Sequence, residues 1–330
     1  MSNLHKIVIV GGGAGGLELA TQLGNSLGKT HKAKITLVDQ KLTHIWKPLL
    51  HEIAAGTINP HAEETNYFAH ASKHHYEFVL GSLIDLDQTT KQIILETAQL
   101  SRPEQTQKNL RLDYDTLIIA VGSTSNDFNT EGVKQHCHFL DNRKQADLFQ
   151  QDLLHLYLEA QNHETARALN IAIIGAGATG IELAAELFQA KQTFFKYGLN
   201  KIDPKNVNIT VIEAADRILP ALSETIAKHT SHQLAQFGIQ VLTKHRVAKV
   251  DDDKVYFADG TSLDAELKVW AAGIKAPAVL EKLTGFEKDN LHRLKVYATL
   301  QTLSDPNIFV CGDCAHCQPT ADEPVLGPRA

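Results

Sequence analysis

Cysteine is scarce in this sequence, and long uninterrupted apolar runs are missing from it. Four of the 330 residues are cysteines, and three of these lie between residues 311 and 317. A secreted domain held by disulfides would carry more cysteines at more widely spread positions, so we expect a reducing, cytosolic setting. The longest apolar stretch, residues 171–188, is interrupted by three glycines and two glutamates and does not predict a membrane span.

An excess of positive charge is also missing. The formal net charge is -6 at pH 7, so we expect no nucleic-acid partner, because such partners require a basic surface. The residues before the strand-like run IVIV lack the layout of a secretory signal, and we expect none. With 43% hydrophobic and 21% charged residues the composition is that of a globular protein, and the length fits about two domains.

Two segments of the chain are near copies of each other. IVIVGGGAGGLELATQL (residues 7–23) and IAIIGAGATGIELAAEL (residues 171–187) are offset by 164 positions and identical at ten of seventeen. Each begins with the β-branched residues of a buried parallel strand and continues with the apolar spacing of a helix. The repetition predicts two nucleotide-binding units.

The glycines of each copy have GxGxxG spacing. The first allows a tight turn, the second lets the backbone approach a pyrophosphate, and the third lets helix and strand pack closely. The helix N-terminus supplies N–H groups for the phosphates. A second strand follows each copy and ends at Asp39 or at Glu213, where a carboxylate accepts hydrogen bonds from a ribose hydroxyl. The second copy holds ten extra residues, which we place within residues 191–205 and expect to lengthen the helix or its return loop.

The remaining pattern indicates where the domains meet. The buried-strand sequence YDTLIIAVG ends at Gly122 and is followed by a polar, turn-rich segment, which predicts a boundary there. A long amphipathic helix is predicted over residues 141–161, and the strand over residues 307–310 runs into a Cys-Gly-Asp sequence. Residues 43–56, THIWKPLLHEIAAG, have two interpretations: a loop and helix that cap the sheet, or a floor for a ring system.

Together these motifs resemble the flavoproteins that contain two dinucleotide-binding domains. The shared features are the two GxGxxG units, TLIIAVG between them, WAAG after the second, and a strand that closes on CGD. Within that group the chain is similar to the bacterial respiratory type II NADH dehydrogenases, which are NADH:quinone oxidoreductases, through WKPLLHEIAAG, GSTSNDFNTEGV, ILPALS, VWAAGIKAP and GDCAHC. The resemblance covers essentially the whole chain.

The resemblance implies an α/β fold of two Rossmann-like domains, with the NADH domain inserted into the FAD domain. Each domain is expected to contain a parallel sheet and a small antiparallel β element. The implied ranges are 1–125 and 275–330 for the FAD-binding domain and 126–274 for the NADH-binding domain.

The resemblance also assigns the cofactors FAD and NADH to particular residues, with Leu83 on the strand beside the adenine and Lys47 by the flavin. For FAD it implies Gly11, Gly13, Gly16, Asp39, Lys47, Leu83, Gly122, Gly312 and Asp313. For NADH it implies Gly175, Gly177, Gly180, Glu213, Ala272 and Gly273, the last two lining the nicotinamide pocket. Because a carboxylate suits a free 2′-hydroxyl and repels a 2′-phosphate, Glu213 favours NADH over NADPH, whereas Arg217 nearby leaves NADPH open.

The implied chemistry is FAD-dependent oxidation of NADH followed by reduction of a membrane quinone, without proton pumping. Hydride transfer between cofactors requires no nucleophilic side chain. Glu182 is the candidate catalytic residue, because a helix that starts at the phosphates carries this side chain toward the nicotinamide. The alternative is a first-turn glutamate that complements the helix dipole, as Glu18 would in the first copy. An ion pair between Lys47 and Glu182 is a further hypothesis.

We predict no metal site. Cys311, Cys314 and Cys317 form C-x-x-C-x-x-C, which could hold a soft metal or act as a dithiol. A fourth ligand is not evident, and the Gly-Asp pair within the motif is assigned to the flavin, so structural thiols are favoured. His70 and His74, four residues apart, are better explained by a polar surface helix than by a shared metal.

Other functions share the nucleotide motifs. A disulfide reductase would have paired cysteines soon after the first motif, where WKPLLHEIAAG has none. A sulfide:quinone oxidoreductase needs cysteines on both sides of the flavin, for which Cys137 and the terminal cluster are the candidates. Ferredoxin-type reductases and an NADH-sensing redox regulator also remain open; a sensor would turn over negligibly.

The implied partners are NADH and a quinone. The resemblance further implies peripheral attachment to the cytoplasmic face of the inner membrane through a C-terminal segment. The family continues beyond the PRA at which this sequence ends, so we expect a truncated form with an incomplete flavin and quinone site that binds FAD weakly. The identity of the quinone and the oligomeric state, a homodimer included, stay open.

Overall fold

The computed structural model describes residues 4–97, 109–162, 168–320, 322–323 and 325–326. The chain divides into two compact units. Unit 1 comprises Met1–Trp46, Glu63–Thr124 and Ile274–Ala330, and unit 2 comprises Lys47–Ala62 and Ser125–Gly273. Each unit contains one copy of the repeated segment.

The strands of the described residues are, in chain order, β1 (His5–Val10), β2 (Ala33–Asp39), β3 (Thr43–His44), β4 (Thr65–Asn66), β5 (Glu77–Leu80), β6 (Ser82–Asp87), β7 (Gln92–Glu96), β8 (Asn109–Asp113), β9 (Thr116–Ile119), β10 (Thr124–Ser125), β11 (Leu169–Ile174), β12 (Val207–Ile212), β13 (Gln240–Leu242), β14 (Val247–Val250), β15 (Lys254–Phe257), β16 (Ser262–Asp264), β17 (Leu267–Trp270), β18 (Ile274–Lys275), β19 (Leu294–Val296), β20 (Ile308–Val310) and β21 (Ala315–Cys317).

The α-helices of the same residues are α1 (Ala14–Leu23), α2 (Leu50–Ala55), α3 (Tyr67–Lys73), α4 (Val133–His136), α5 (Arg143–Gln161), α6 (Ala178–Lys196), α7 (Glu224–Gln236) and α8 (Ala278–Lys282). A π-helical turn, Gly24–Gly28, continues α1, and short 3-10 helices cover Lys47–Leu49, Pro204–Asn206 and Gly312–Cys314.

Unit 1 is built on a five-stranded parallel sheet in the order β20-β9-β1-β2-β5. Its central strand β1 is apolar on both faces, and alternate residues enter different cores: Val8 and Val10 pack in one cluster, and Ile7 and Ile9 in another. This is the burial expected of a parallel strand covered on both sides. A three-stranded antiparallel sheet, β6-β7-β8, completes the unit together with the small pairs β3-β4 and β19-β21.

Unit 2 repeats this plan. Its four-stranded parallel sheet has the order β13-β12-β11-β17, and β14-β15-β16 form an antiparallel sheet. The turn between β15 and β16 contains Asp259-Gly260, a pair typical of hairpin turns, with Gly260 at a φ of 89°. The helix predicted over residues 141–161 is α5, and Asn142 caps it by accepting a hydrogen bond from the Gln145 N–H at 3.1 Å.

The predicted architecture is confirmed: each unit combines a Rossmann-like parallel sheet with a small antiparallel element, and unit 2 contains residues 125–273 as an insertion between segments of unit 1. The extra residues of the second copy lengthen both its helix and its return loop, since α6 extends over 19 residues, α1 with its π-helical turn ends at Gly28, and the loop before β12 contains the 3-10 helix Pro204–Asn206. Among the described helices, none combines the length and the apolar character needed to cross a membrane.

One segment lies elsewhere than the sequence analysis placed it. Residues 47–62 belong to unit 2, whereas the implied range 1–125 assigned them to the first domain. The reason is that α2 buries its apolar side chains, Leu50 and Ile53 among them, and packs against α5 and α6. Both interpretations of residues 43–56 stay predictions.

Candidate functional site: two glycine loops

The loop between β1 and α1 depends on two glycines that cannot carry a side chain. Gly11 has a φ of 106°, and a Cβ on it would collide with the carbonyl of Ala120. A Cβ on Gly16 would collide with the carbonyl oxygen of Gly11, so α1 can approach β1 only without it. At Gly13, by contrast, an added Cβ would meet nothing within 4 Å. The space in front of the second glycine is open, as the approach of a pyrophosphate requires.

The loop between β11 and α6 has the same construction. Gly175 has a φ of 111°, and a Cβ on it would lie 2.7 Å from the backbone of Ala271. A Cβ on Gly180 would collide with the carbonyl oxygen of Gly175, and a Cβ on Gly177 would meet nothing within 4 Å. The three glycines of the second motif thus have the same steric roles as Gly11, Gly13 and Gly16 in the first.

An acidic side chain at the end of the second strand is attached to each loop. Asp39 Oδ2 accepts a hydrogen bond from the Gly12 N–H at 2.7 Å, and its Oδ1 accepts from the amide two residues further on at 2.9 Å. Glu213 Oε2 accepts from the Ala176 N–H at 3.0 Å, and its Oε1 accepts from the amide two residues further on at 2.8 Å. Because a carboxylate has about four lone-pair sites, each still has acceptor capacity for a ribose hydroxyl.

The carbonyl group of the residue between the first two glycines is held differently in the two loops. Gly12 O accepts from the Tyr67 hydroxyl at 2.6 Å and from His44 Nδ1 at 2.9 Å. Ala176 O accepts from the backbone N–H of Leu219 at 2.8 Å. Burial lowers the pKa of His44, which favours its neutral ring, and because a carbonyl can only accept, Nδ1 is the nitrogen that donates to Gly12 O. No sequence motif indicated Tyr67 or His44.

The loops that follow β9 and β20 are joined at the carboxyl edge of the unit 1 sheet. Ser123 Oγ donates to Asp313 Oδ2 at 2.7 Å, which links the residue after Gly122 to the residue after Gly312. A Cβ on either of these two glycines would meet nothing within 4 Å. The structure therefore brings together Gly122, Gly312 and Asp313, the residues of these loops that the sequence analysis assigned to the flavin.

Leu83 and Lys47 lie in different surroundings. The Leu83 side chain is buried in the hydrophobic core of unit 1. Lys47 begins the 3-10 helix ahead of α2, in unit 2.

The end of β17 carries the second set of NADH candidates. Ala272 and Gly273 follow this strand, and a Cβ on Gly273 would collide with the ring of Phe128. The Phe128 loop is held to the strand end because Asn126 N–H donates to Gly273 O at 3.1 Å and Trp270 Nε1 donates to Asn126 O at 2.8 Å. Phe128 is a further aromatic neighbour of this position that the sequence analysis did not identify.

Glu182 contacts a histidine. Its Oε2 lies 3.2 Å from His51 Nε2, with the glutamate about half exposed and the histidine largely buried between helices. The contact joins α6 to α2 within unit 2. One turn later, Glu186 accepts a hydrogen bond from the Thr57 hydroxyl at 2.8 Å. The first turn of α6 contains no acidic residue, so the interpretation of Glu182 as a first-turn dipole partner is wrong. The Lys47–Glu182 ion pair stays a prediction.

Arg217 is engaged with its own loop. Its guanidinium donates to the carbonyl oxygens of Leu219, Pro220 and Leu222 at 3.1, 2.8 and 2.9 Å. These bonds hold the loop that contains Leu219, whose backbone N–H donates to Ala176 O. A guanidinium committed to three carbonyls is poorly placed to attract a 2′-phosphate as well, which weakens the case for NADPH.

The cysteine cluster has the environment of structural thiols. Cys314 Sγ donates to Cys311 O at 3.3 Å, and Cys317 Sγ donates to Tyr297 O at 3.8 Å. Burial raises the pKa of Cys314 to about 12 and that of Cys137 in unit 2 also to about 12. Because the thiolate is the reactive form, neither is suited to sulfur chemistry at neutral pH.

Metal-binding geometry is not found in the described part of the chain, where no group of three or more His, Cys, Asp or Glu side chains could hold an ion. His70 and His74 stack with their ring centroids 4.2 Å apart. Their Nδ1 atoms face Tyr76 and Asn25, at 2.9 and 3.2 Å.

The comparisons with known proteins agree with the interpretation of the two glycine loops as nucleotide-binding loops. A family model described as pyridine nucleotide-disulphide oxidoreductase matches residues 5–325, and the chain belongs to this family. It falls, more narrowly, among the type II NADH:quinone oxidoreductases. It is 41% identical over 327 residues to the enzyme of that name from Haemophilus influenzae, covering 94% of this chain and 74% of the relative. The resemblance stated from the motifs is thereby confirmed.

More distant relatives extend the same likeness. The type II NADH:quinone oxidoreductase of Staphylococcus aureus is 29% identical over 340 residues, covering 98% of this chain and 78% of the relative. The solved structure of NDH2 from Plasmodium falciparum in complex with NADH has a TM-score of 0.83 at 24% identity, covering 96% of this chain and 66% of that chain. At that identity the structural likeness concerns the fold.

The glycines of the first loop provide a matched pair of substitutions. Gly16→Ala should lower the free energy of unfolding by about 3 kcal/mol or more, because the new methyl group meets a backbone carbonyl that cannot move aside. Gly13→Ala should change it by less than about 1 kcal/mol, since the space there is open. Urea unfolding of the two flavin-free variants measures the difference, and equal losses of stability would contradict the assignment of these roles.

Proposed function

We propose that this chain catalyses the oxidation of NADH by a quinone, with FAD bound in unit 1 and NADH bound in unit 2. The observation that carries the proposal is the pair of glycine loops, each open at its second glycine, in a chain 41% identical to a type II NADH:quinone oxidoreductase. The reaction balances as NADH, a proton and a quinone giving NAD+ and a quinol.

Residues of unit 1 fit the phosphates and ribose of FAD. Gly13 leaves room for the pyrophosphate at the N-terminus of α1, where N–H groups and the helix dipole favour anions. Asp39 offers its remaining lone pairs to the ribose. Gly122 and the Gly312-Asp313 pair lie on joined loops suited to the flavin end. When bound, FAD supplies the hydride acceptor that no side chain of the protein can provide.

Residues of unit 2 fit NADH in the same way. Gly177 leaves the corresponding space at the N-terminus of α6, and Glu213 offers acceptor capacity for the 2′-hydroxyl. Ala272 and Gly273 are assigned to the nicotinamide end of the molecule. The protein's part is to hold the substrate in a reactive orientation, which is a large contribution to rate in transfers of this kind.

Glu182 is proposed to handle the proton that the reaction consumes. Its carboxylate is accessible to solvent on one side and contacts His51 on the other. A solvent-accessible carboxylate in contact with an imidazole can act as a general acid and base and so take up and deliver a proton. Lys47, in the same unit, is proposed to add positive charge near this group.

The acceptor is proposed to be a membrane quinone. Quinone is part of the name of both bacterial relatives, and an apolar acceptor of this kind is met at a membrane surface. The finer proposal is therefore peripheral association with the cytoplasmic face of the inner membrane.

The function is tested by adding FAD to the purified chain and following NADH absorbance at 340 nm with a soluble short-chain quinone. We expect bleaching of the flavin spectrum by NADH, its recovery on adding quinone, and continuous turnover of NADH. A sensor would be bleached without sustained turnover, and a protein with no flavin spectrum after incubation with FAD would contradict the proposal outright.

The nucleotide preference follows from Glu213. We expect a kcat/KM for NADH at least about tenfold higher than for NADPH, because the carboxylate repels a 2′-phosphate and accepts a 2′-hydroxyl. Glu213→Gln should narrow that ratio by weakening the discrimination against NADPH. The measurement is steady-state kinetics with both nucleotides, and equal efficiencies for the unaltered chain would disprove the preference.

The role of Glu182 is tested against its neighbour. Glu182→Gln should lower quinone-dependent turnover by about 10- to 100-fold and remove a group from its pH profile, because an amide cannot carry the proton. Glu186→Gln, on the same helix, removes a carboxylate that bonds only Thr57 among the contacts described and should keep turnover within about twofold. If Glu182→Gln keeps both its rate and its pH profile, the proposed role is wrong.

A further inference from the structure

The first glycine loop is clamped by side chains at one peptide group. Gly12 O receives the Tyr67 hydroxyl at 2.6 Å and His44 Nδ1 at 2.9 Å, while Gly12 N–H donates to Asp39 Oδ2 at 2.7 Å. All four residues belong to unit 1. Gly12 is therefore fixed by hydrogen bonds at both its N–H and its C=O. The Tyr67 side chain that donates to it is almost fully buried.

The two repeats differ at this position, and the clamp explains why. The first copy has glycine at residue 12, where the second copy has Ala176. A Cβ on Gly12 would collide with the hydroxyl and ring of Tyr67. In the second copy a backbone N–H, from Leu219, does the work of the tyrosine, and a methyl group is accepted there. Residue 12 is therefore a glycine because the Tyr67 ring occupies the space that a Cβ would need.

Clamping this carbonyl aims the next N–H group. The peptide bond between Gly12 and Gly13 is planar and trans, so its C=O and N–H point in opposite directions. With the carbonyl turned toward Tyr67 and His44, the N–H of Gly13 is turned away from them. Gly13 is the N-cap of α1 and faces open space.

We propose that Tyr67 and His44 are positioning residues for the FAD pyrophosphate, which act by fixing the orientation of the Gly12–Gly13 peptide. The inference rests on the proposed binding of FAD in unit 1. A preset N–H donor binds an anion more tightly than a mobile one, since no conformational freedom is lost when the ligand arrives.

The surrounding structure holds both donors in place. His44 pairs with Thr65 across the β3–β4 ladder, and the backbone N–H of Tyr67 donates to Leu42 O at 3.1 Å. The Tyr67 ring stacks on Phe78, with 4.8 Å between ring centroids. Both donors therefore come from one small hairpin and the start of α3, and they are fixed independently of any ligand.

The test is the affinity for FAD of the flavin-stripped full chain, measured by quenching of flavin fluorescence. Tyr67→Phe keeps the stacked ring and removes the hydroxyl, and we expect about 3- to 10-fold weaker binding of FAD. Tyr76→Phe is the matched control, because it removes another hydroxyl from the same core cluster, one that contacts His70 instead of the loop. This control should bind FAD within about twofold of the unaltered chain.

A second pair of variants separates positioning from general damage. His44→Ala should weaken FAD binding by a similar factor, and His44→Asn should restore much of it, because an Asn amide donates from nearly the position of Nδ1. Affinity for NADH, titrated on the same samples, should not change in any variant, since the second loop is clamped by its backbone.

The possible failures are distinguishable. If the unaltered chain binds no FAD, the proposed function itself fails. If it binds FAD and Tyr67→Phe and His44→Ala bind it equally well, or if Tyr76→Phe weakens binding as much as Tyr67→Phe, the positioning role is overturned. A loss of NADH affinity parallel to the loss of FAD affinity would likewise replace positioning with a general loss of structure.

Discussion

The contact between the third glycine of each motif and the carbonyl oxygen of the first is the constraint on which both units depend. Any side chain at Gly16 or Gly180 would push its helix away from the strand that precedes it. With the helix drawn close, its N-terminus stands directly over the end of the central strand, and the second glycine is left facing open space. The proposed anion site is therefore a consequence of helix–strand packing, and the packed core beneath it holds its geometry.

The acidic side chains at the ends of β2 and β12 fix the two loops further by hydrogen bonds. Asp39 and Glu213 each hold the glycine loop with one oxygen and their own following turn with the other. These bonds to a carboxylate are charge-assisted and stronger than neutral ones. In the proposed function, the ribose of a nucleotide meets a carboxylate whose orientation these bonds determine, so its recognition requires little rearrangement.

The sequence predicted what is encoded locally. The glycine motifs, the acidic strand ends, the parallel central strands and the family all follow from residues close together in the chain. The structure and the comparisons confirm these features, and the roles of individual residues stay predictions. The clamp on Gly12 could not be predicted, because Tyr67 and His44 are 55 and 32 residues away and have no motif. The same holds for His51 against Glu182. The apolar face of α2 indicated burial but carried no information about which sheet would receive it.

The position of α2 has a consequence for how the two halves of the protein can be treated. Three segments of unit 1 alternate with two of unit 2, so the chain passes from one unit to the other four times. Residues 125–273 form one continuous insertion. Removing them would take away α5 and α6, against which α2 packs, and would expose the apolar side chains of α2 to water. The repeated strand–loop–helix segments therefore belong to two units whose chain segments are interleaved, so unit 2 is not one continuous module. Grafting unit 2 onto another scaffold requires carrying the short helix α2 along with it.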